Sequence, residues 1–474
     1  MSKVPLLTAG VAWALGLAFA FLIPPFQLPD EHAHFARAYQ ISVGRFLPQH
    51  ESRLPDSVLS CLEQFPEIFA KSAWRNIHCA PVVPASDLPA SSVEKLEHFN
   101  WGLLATQMYS PIVYLPASMG IRIGRAFGTS AVGMLYVARC LNVLVFVIAL
   151  AAVLLLLPNY GALVTAIALM PMTLAQAGAI SADCMTIALS LIGFALVLRT
   201  REIAVRRSYL LLLLLFVPLW VLCKNSWWAL PLLLLIPAAQ FGGRSKRAAY
   251  LITATVLSIT LLITWRHLSD RALADFRMAG LAKGIDLDFN TRQIASHPLG
   301  VLHDVLAMPY RDDPPIVNNV SKSASSNTIA PVVTFVVHME RLMKGFVAGI
   351  GWTFIKTPVR PLYLLLLFVI AFIERSPKPF SAMERVVLGV VFTGALVGTY
   401  LVLFAIDGKT ENGHWSFWSV GVQGRYLIPY CLAGFLLLKQ DAIHTSSRVL
   451  APLVLGACAL YGVVSLGVLA RAYY

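Results

Sequence analysis

The chain has 474 residues, 58% of them hydrophobic and 13% charged, with a formal net charge of +13. So few charges exclude an ordinary soluble domain, in which about a quarter of residues are charged. No nucleic-acid motif accompanies the positive charge, so it is read as basic loops meeting anionic lipid headgroups, not as a nucleic-acid surface.

Apolar runs of about 20 residues recur along the chain. The expected fold class is therefore all-α: a polytopic membrane protein forming one transmembrane domain over 1–474. The first run, Val4 to Ile23, leads into Pro24-Pro25 and charged residues, with no small-residue cleavage site, and reads as an uncleaved span. Residues 24–40 follow it directly and read PPFQLPDEHAHFARAYQ. A helix begun at Asp30 sets Asp30, His34 and Arg37 at i, i+4 and i+7, on one face. Asp30 after Pro29 is also a good helix N-cap. A carboxylate beside two basic side chains stays ionised and suits a general base.

Spans are expected at 4–24, 131–157, 160–178, 182–198, 208–223, 226–241, 248–267, 355–373, 385–404, 424–438 and 449–470, about eleven in all. The weak stretch is 108–125, YSPIVYLPASMGIRIGRA, interrupted by Pro111, Pro116, Arg122 and Arg125. Four basic clusters decide its placement: Arg199, Arg201, Arg206 and Arg207; Arg244, Lys246 and Arg247; Arg375, Lys378 and Arg385; Lys439 and Arg448. All four fall in the cytoplasm with Lys3 only if 108–125 stays outside as an interfacial helix, with Ile112, Val113, Leu115 and Ile121 facing acyl chains. Two large external loops result, 25–130 and 268–350. The first is the more acidic up to residue 105; the second is basic, which long loops tolerate.

Cys61 and Cys79 are the cysteines in a polar segment, and external placement predicts a disulfide between them. Cys140, Cys184, Cys223, Cys431 and Cys458 lie in or beside apolar runs and read as packing residues. No CxxC or Cys/His zinc spacing appears. No internal repeat is evident, which weighs against a transporter built from inverted repeats.

This topology gathers polar residues at the outer interface. Asp183 in GAISADCMT opens the fourth span, and Lys224 and Asn225 in VLCKNSWWALP lie between the fifth and sixth. Gln423, Arg425 and Tyr426 in GVQGRYLIP open the tenth, and Arg139 lies about two turns into the second. Each has a structural reading: Asp183 as a cap, Lys224 snorkelling, Arg139 paired with a buried carboxylate or carbonyl. Together they favour function, because ionisable groups at membrane depth are costly. Arg425 can grip a phosphate with its fork, and Lys224 adds a point charge. A base beside a phosphate clamp at a lipid interface implies a substrate with a lipid tail, a phosphate and a group to transfer.

Pro29-Asp30-Glu31-His32-Ala33-His34 and Gln423-Gly424-Arg425-Tyr426 resemble the paired motifs of an uncharacterised bacterial membrane-protein family within the GT-C superfamily of membrane glycosyltransferases. ARCLN at 138–142, DFNTRQIASHP at 288–298 and GIGWTFIKTPVRP at 349–361 are also similar to it. The resemblance implies a GT-C-like fold and inverting sugar transfer from a polyprenyl-phosphate donor to a glycan or lipid-linked hydroxyl acceptor, at the outer face of a bacterial inner (plasma) membrane. It makes Asp30 the base, Glu31 its neighbour or substitute, and His34 their companion. Arg37, Arg139, Asp183, Lys224, Gln423, Arg425 and Tyr426 are the expected substrate-binding residues. Superfamily members often carry later acidic residues, for which Asp286, Asp288, Asp312 and Asp313 are available. Relatives differ in needing a divalent cation, and the Asp30/His34 pair alone does not make a metal site. The alternatives are a transporter or flippase of lipid-linked glycans, for which the spans are too clean in their middles, and an O-antigen ligase or polymerase.

Overall fold

Apolar runs bounded by proline and by capping serines fold here as helices. A computed structural model describes residues 3–48, 53–65, 77, 79, 90–92, 97–307, 342–343, 345–350, 355–356, 360–411, 414–416, 423–440 and 445–474. Helix α1 (Val4–Leu22) has proline in its first turn and stops before Pro24-Pro25. The first loop contains α2 (Glu31–Ser42), α3 (Asp56–Glu63), α4 (Glu97–Gln107) and α5 (Leu115–Ala126). The bundle continues with α6 (Ala131–Leu156), whose first turn the Ser130 hydroxyl caps. Then come α7 (Gly161–Ala168), α8 (Pro171–Ala177), α9 (Asp183–Glu202), α10 (Arg207–Leu222) and α11 (Arg244–Leu268). The second loop carries α12 (Asp270–Ala282), α13 (Leu287–Ser296) and α14 (Pro298–Ala307). The chain closes with α15 (Arg360–Ile373), α16 (Ala382–Asp407), α17 (Cys431–Leu437) and α18 (Ser447–Tyr473). A capping box of Ser381 and Glu384 starts α16. The described strands are short antiparallel ribbons: Arg53–Pro55 with Ala90–Ser92, Gly349–Ile350 with Ile355–Lys356, and Lys409–Glu411 with His414–Ser416.

The all-α polytopic class holds, but the number of regular spans is smaller than expected. Among the described residues seven helices are long and apolar enough to cross a membrane, or eight if one bent pair is counted. That pair is α7 and α8, expected as one span at 160–178 and bent by 79° where Pro171 opens the second half. The expected span at 226–241 is 3₁₀ helix at Trp227–Leu235, with Pro231 inside it, and at Ala238–Phe241. The expected 424–438 divides into 3₁₀ helix at Gly424–Tyr430, containing Pro429, and α17. Hydropathy counts apolar side chains; it does not see that proline removes the N–H a regular helix needs.

Residues 160–183 are buried without interruption, so the broken pair lies at the centre of the bundle. A second apolar core, with Phe26, Phe35, Leu54, Val58, Leu62 and Tyr114, holds the first loop together and reaches the first turns of α6. Cys61 and Cys79 are joined in a disulfide there, as the polar loop predicts.

The basic clusters gather at one end. Arg201 bonds Glu384 at 2.5 Å and the carbonyl of Lys378, and Arg385 donates to the carbonyls of Leu437 and Lys439. Lys439 in turn pairs with buried Glu374 at 3.1 Å. The Gln240 amide donates to Thr200 O and Ile203 O, tying the second cluster's linker to the first. Asp183 lies at the far end of α9 from Arg201, roughly 27 Å away at 1.5 Å per residue.

Helix α5 packs against the opening turns of α6, with Gly120 under Ala138 and Gly124 under Met134, at the same end as Asp183. At twelve residues it is too short to cross a bilayer. Its faces match expectation at Leu115 but differ elsewhere. Val113 and Ile121 are buried in protein, whereas Leu115, Met119, Ile123 and Phe127 are exposed. Ala138 and Met134 attract the inner face, and the helical period assigns the outer one.

Candidate functional site

The site begins with two tight turns. Gln27 N–H bonds Pro24 O at 3.3 Å, and Glu31 N–H bonds Leu28 O at 3.2 Å. Each turn has proline second and a left-handed residue third, Phe26 at φ 61° and Asp30 at φ 64°. That is the type II pattern, whose third position normally takes glycine. Asp30 occupies the N-cap position of α2, yet its side chain makes no capping bond. It is 46% exposed and lies 3.3 Å from Arg425 Nη2.

Arg425 comes from the far end of the chain. Gly424 before it passes so close to the backbone of Leu342, Gly345 and Phe346 that a Cβ would stand 2.0 Å from Phe346 N and 2.4 Å from Leu342 O. Only glycine fits, and this contact seats the guanidinium. Its Nε lies 3.7 Å from Asp183 and has no hydrogen bond, and its Nη2 meets the Tyr426 hydroxyl at 3.4 Å. Asp183 opens α9 as its first residue, but its carboxylate turns to Lys224 Nζ at 2.5 Å. Lys224 and Asn225 are both left-handed, at φ 47° and 52°. The Lys224 ammonium lies 5.0 Å from the Tyr426 ring centre and 5.6 Å from that of Tyr109. Every non-glycine residue with positive φ among those described is in this cluster or, for Phe26, in the adjoining turn. Such concentration of strained backbone is characteristic of functional sites.

His34 lies beneath the cluster. Its Nδ1 is 2.7 Å from the Tyr114 hydroxyl, and its ring stacks beside Tyr109. Burial pulls the imidazole down to about 4, against a partial upward pull from Asp30. It is neutral at physiological pH. Burial likewise raises the phenols of Tyr109 and Tyr114, which stay protonated.

Three expected site residues are directed elsewhere. Glu31 and Arg139 are fully buried against each other, with Nε–Oε1 at 2.9 Å and Nη2–Oε2 at 2.5 Å. Arg37 is also buried and donates to Arg45 O at 3.2 Å, Phe46 O at 2.6 Å and the Gln40 side chain. It ties the loop after α2 back onto the helix and points away from Asp30 and Arg425. Gln423 contributes backbone, its carbonyl accepting from Tyr426 N–H at 3.0 Å. In the second loop Asp286 caps α13 and Asp288 pairs with Arg277 at 3.1 Å; Asp312 and Asp313 lie outside the described residues. Among the described residues no three His, Cys, Asp or Glu side chains gather as a metal site.

Sequence reasoning missed Tyr109 and Tyr114. They flank the SPIV turn at 110–113, and two tyrosines bracketing Ser-Pro in an otherwise apolar stretch were the available signal.

Long apolar helices, with ionisable groups closed in at one end, define a multi-pass membrane protein. The chain belongs to the family described as predicted membrane protein (DUF2142), whose model matches residues 14–433 and so spans both motifs. No curated protein and no solved structure matches it.

Proposed function

We propose that the protein is a GT-C-type glycosyltransferase that moves a sugar from a polyprenyl-phosphate donor to a hydroxyl acceptor at the outer face of a bacterial inner membrane. The observation that carries this reading is Asp30: half exposed, unused as a cap, and set against Arg425 with the Asp183–Lys224 pair behind it. In the proposed step the acceptor hydroxyl gives its proton to the Asp30 carboxylate. The acceptor oxygen attacks the anomeric carbon from the face opposite the phosphate. The bond from that carbon to the phosphate oxygen breaks, and its electron pair leaves with the lipid phosphate.

Arg425 is the phosphate ligand in this scheme. Its contacts are all long, and its buried Nε lacks an acceptor, so an incoming phosphate oxygen completes it. Phosphate binding there competes with Asp30 for the same guanidinium and frees the carboxylate to meet the acceptor hydroxyl. Lys224 is held more tightly, by Asp183 and two tyrosine faces, and acts through its field.

The test is sugar transfer by purified protein supplied with polyprenyl-phosphate sugars and candidate hydroxyl acceptors. Asp30→Asn keeps the left-handed turn, because asparagine tolerates it, and is expected to cut transfer by about 10²–10⁴-fold. Undiminished transfer in that variant removes Asp30 from the chemistry. Movement of lipid-linked glycan across vesicles without transfer would favour the flippase reading instead.

A further inference from the structure

We infer that Glu31 and Arg139 together form a positioning lock, which holds the strained turn at Asp30 and the turn before Asp183 in register with each other. Arg139 donates to Ala20 O at 2.8 Å, Ile23 O at 2.7 Å and Pro24 O at 3.2 Å, besides its two bonds to Glu31. Those carbonyls belong to the last turn of α1 and the first of the two tight turns. Glu31 Oε1 also accepts Ile180 N–H at 3.0 Å, three residues before Asp183. One ion pair thus joins α1, α2, α6 and the α8–α9 turn.

Electrostatics favour the arrangement. A cation sits at the C-terminal end of α1 and an anion in the first turn of α2, each matched to the local helix dipole. A buried bidentate pair with its remaining valences satisfied is costly to break from one side, because the remaining charge is stranded. The turn needs such support. A left-handed aspartate directly after proline persists only where its surroundings over-determine it. Pro29 constrains one side of Asp30, and Glu31, its other neighbour in the chain, is pinned by Arg139 and Ile180. Neither Glu31 nor Arg139 reaches the open side of the site, so both act through Asp30 and Asp183.

The catalytic consequence rests on the proposed function; the lock itself does not, so the test has two arms. The first measures thermal midpoints of Glu31→Gln in two backgrounds, the native chain and Asp30→Gly. Glycine relieves the left-handed turn, and the lock then has less to hold. Glu31→Gln is expected to lower the midpoint by clearly less in the glycine background, by half or more. Equal losses in both backgrounds overturn the lock and leave an ordinary core ion pair. If Glu31→Gln does not fold, Arg139→Lys replaces it, since one ammonium cannot serve a carboxylate fork and three carbonyls together. The second arm measures transfer. Glu31→Gln is expected to lower kcat at least tenfold with donor KM little changed, because the base moves while the phosphate ligand Arg425 stays anchored by Gly424. A rise in KM alone contradicts positioning of Asp30. Full transfer by Asp30→Asn would refute the function while leaving the midpoint comparison valid.

Discussion

Asp30 sits where glycine is sterically preferred, and its side chain serves no capping role. Asp30→Gly is therefore expected to keep or raise thermal stability, by up to about 1 kcal/mol, while abolishing transfer. A fold that loses stability on that change would show the carboxylate to be a structural group. His34 offers a second test at this scale. Its folded value is lowered from 6.5 to about 4, so the unfolded chain binds the proton more readily between these limits. The contribution of neutral His34 to stability is full above pH 6.5 and is lost as pH falls towards 4, on the order of 3 kcal/mol. Unfolding midpoints across that range should fall with acidification, and His34→Gln should flatten the slope.

At the scale of elements, the site depends on where helices begin and break. Gly424→Ala puts a methyl into the backbone of Leu342, Gly345 and Phe346 and must displace either those residues or Arg425. The expected result is at least tenfold weaker donor binding, read by titration with a polyprenyl phosphate. Arg425→Lys should weaken binding too, by loss of the fork, without disturbing the backbone. In the first loop, Cys61–Cys79 closes a loop with a sequence separation of 18. Reduction should cost the loop about 3 kcal/mol in the chain-entropy model, seen as a lower midpoint under dithiothreitol. An unchanged midpoint would mean that the second apolar core suffices alone.

Across the whole molecule, the charged groups separate to two ends. Arg201, Glu384, Arg385, Lys439 and Glu374 interlock at one, and Asp30, Asp183, Lys224 and Arg425 at the other. Single cysteines at Arg125 and Arg201 should accordingly label from opposite sides of sealed vesicles, with the position-125 cysteine outside. Labelling of both from one side would undo the proposed topology and the outward-facing site with it. On that topology the exposed Leu115, Met119 and Ile123 of α5, and Phe127 just after it, meet the outer lipid leaflet, beside the proposed site for a lipid-linked donor.

What the sequence determined by itself was what composition and local chemistry control. Long apolar runs specify membrane helices, because no buried backbone can go unpaired in lipid. Two cysteines in a polar segment pair as expected. Asp30, Asp183, Lys224 and Arg425 were legible as costly ionisable groups, and the structure brings them together although Asp30 and Arg425 lie 395 positions apart. Their partners were not legible. Glu31, Arg139 and Arg37 are ionisable groups of the same kind, Glu31 and Arg37 beside the motif itself, yet they close on each other or on carbonyls, away from the open face. The tyrosines lining the cluster come from a segment that sequence reading assigned to lipid. A charged group leaving water must find a counter-charge or a hydrogen-bond acceptor, and only the packed chain decides which group stands within reach.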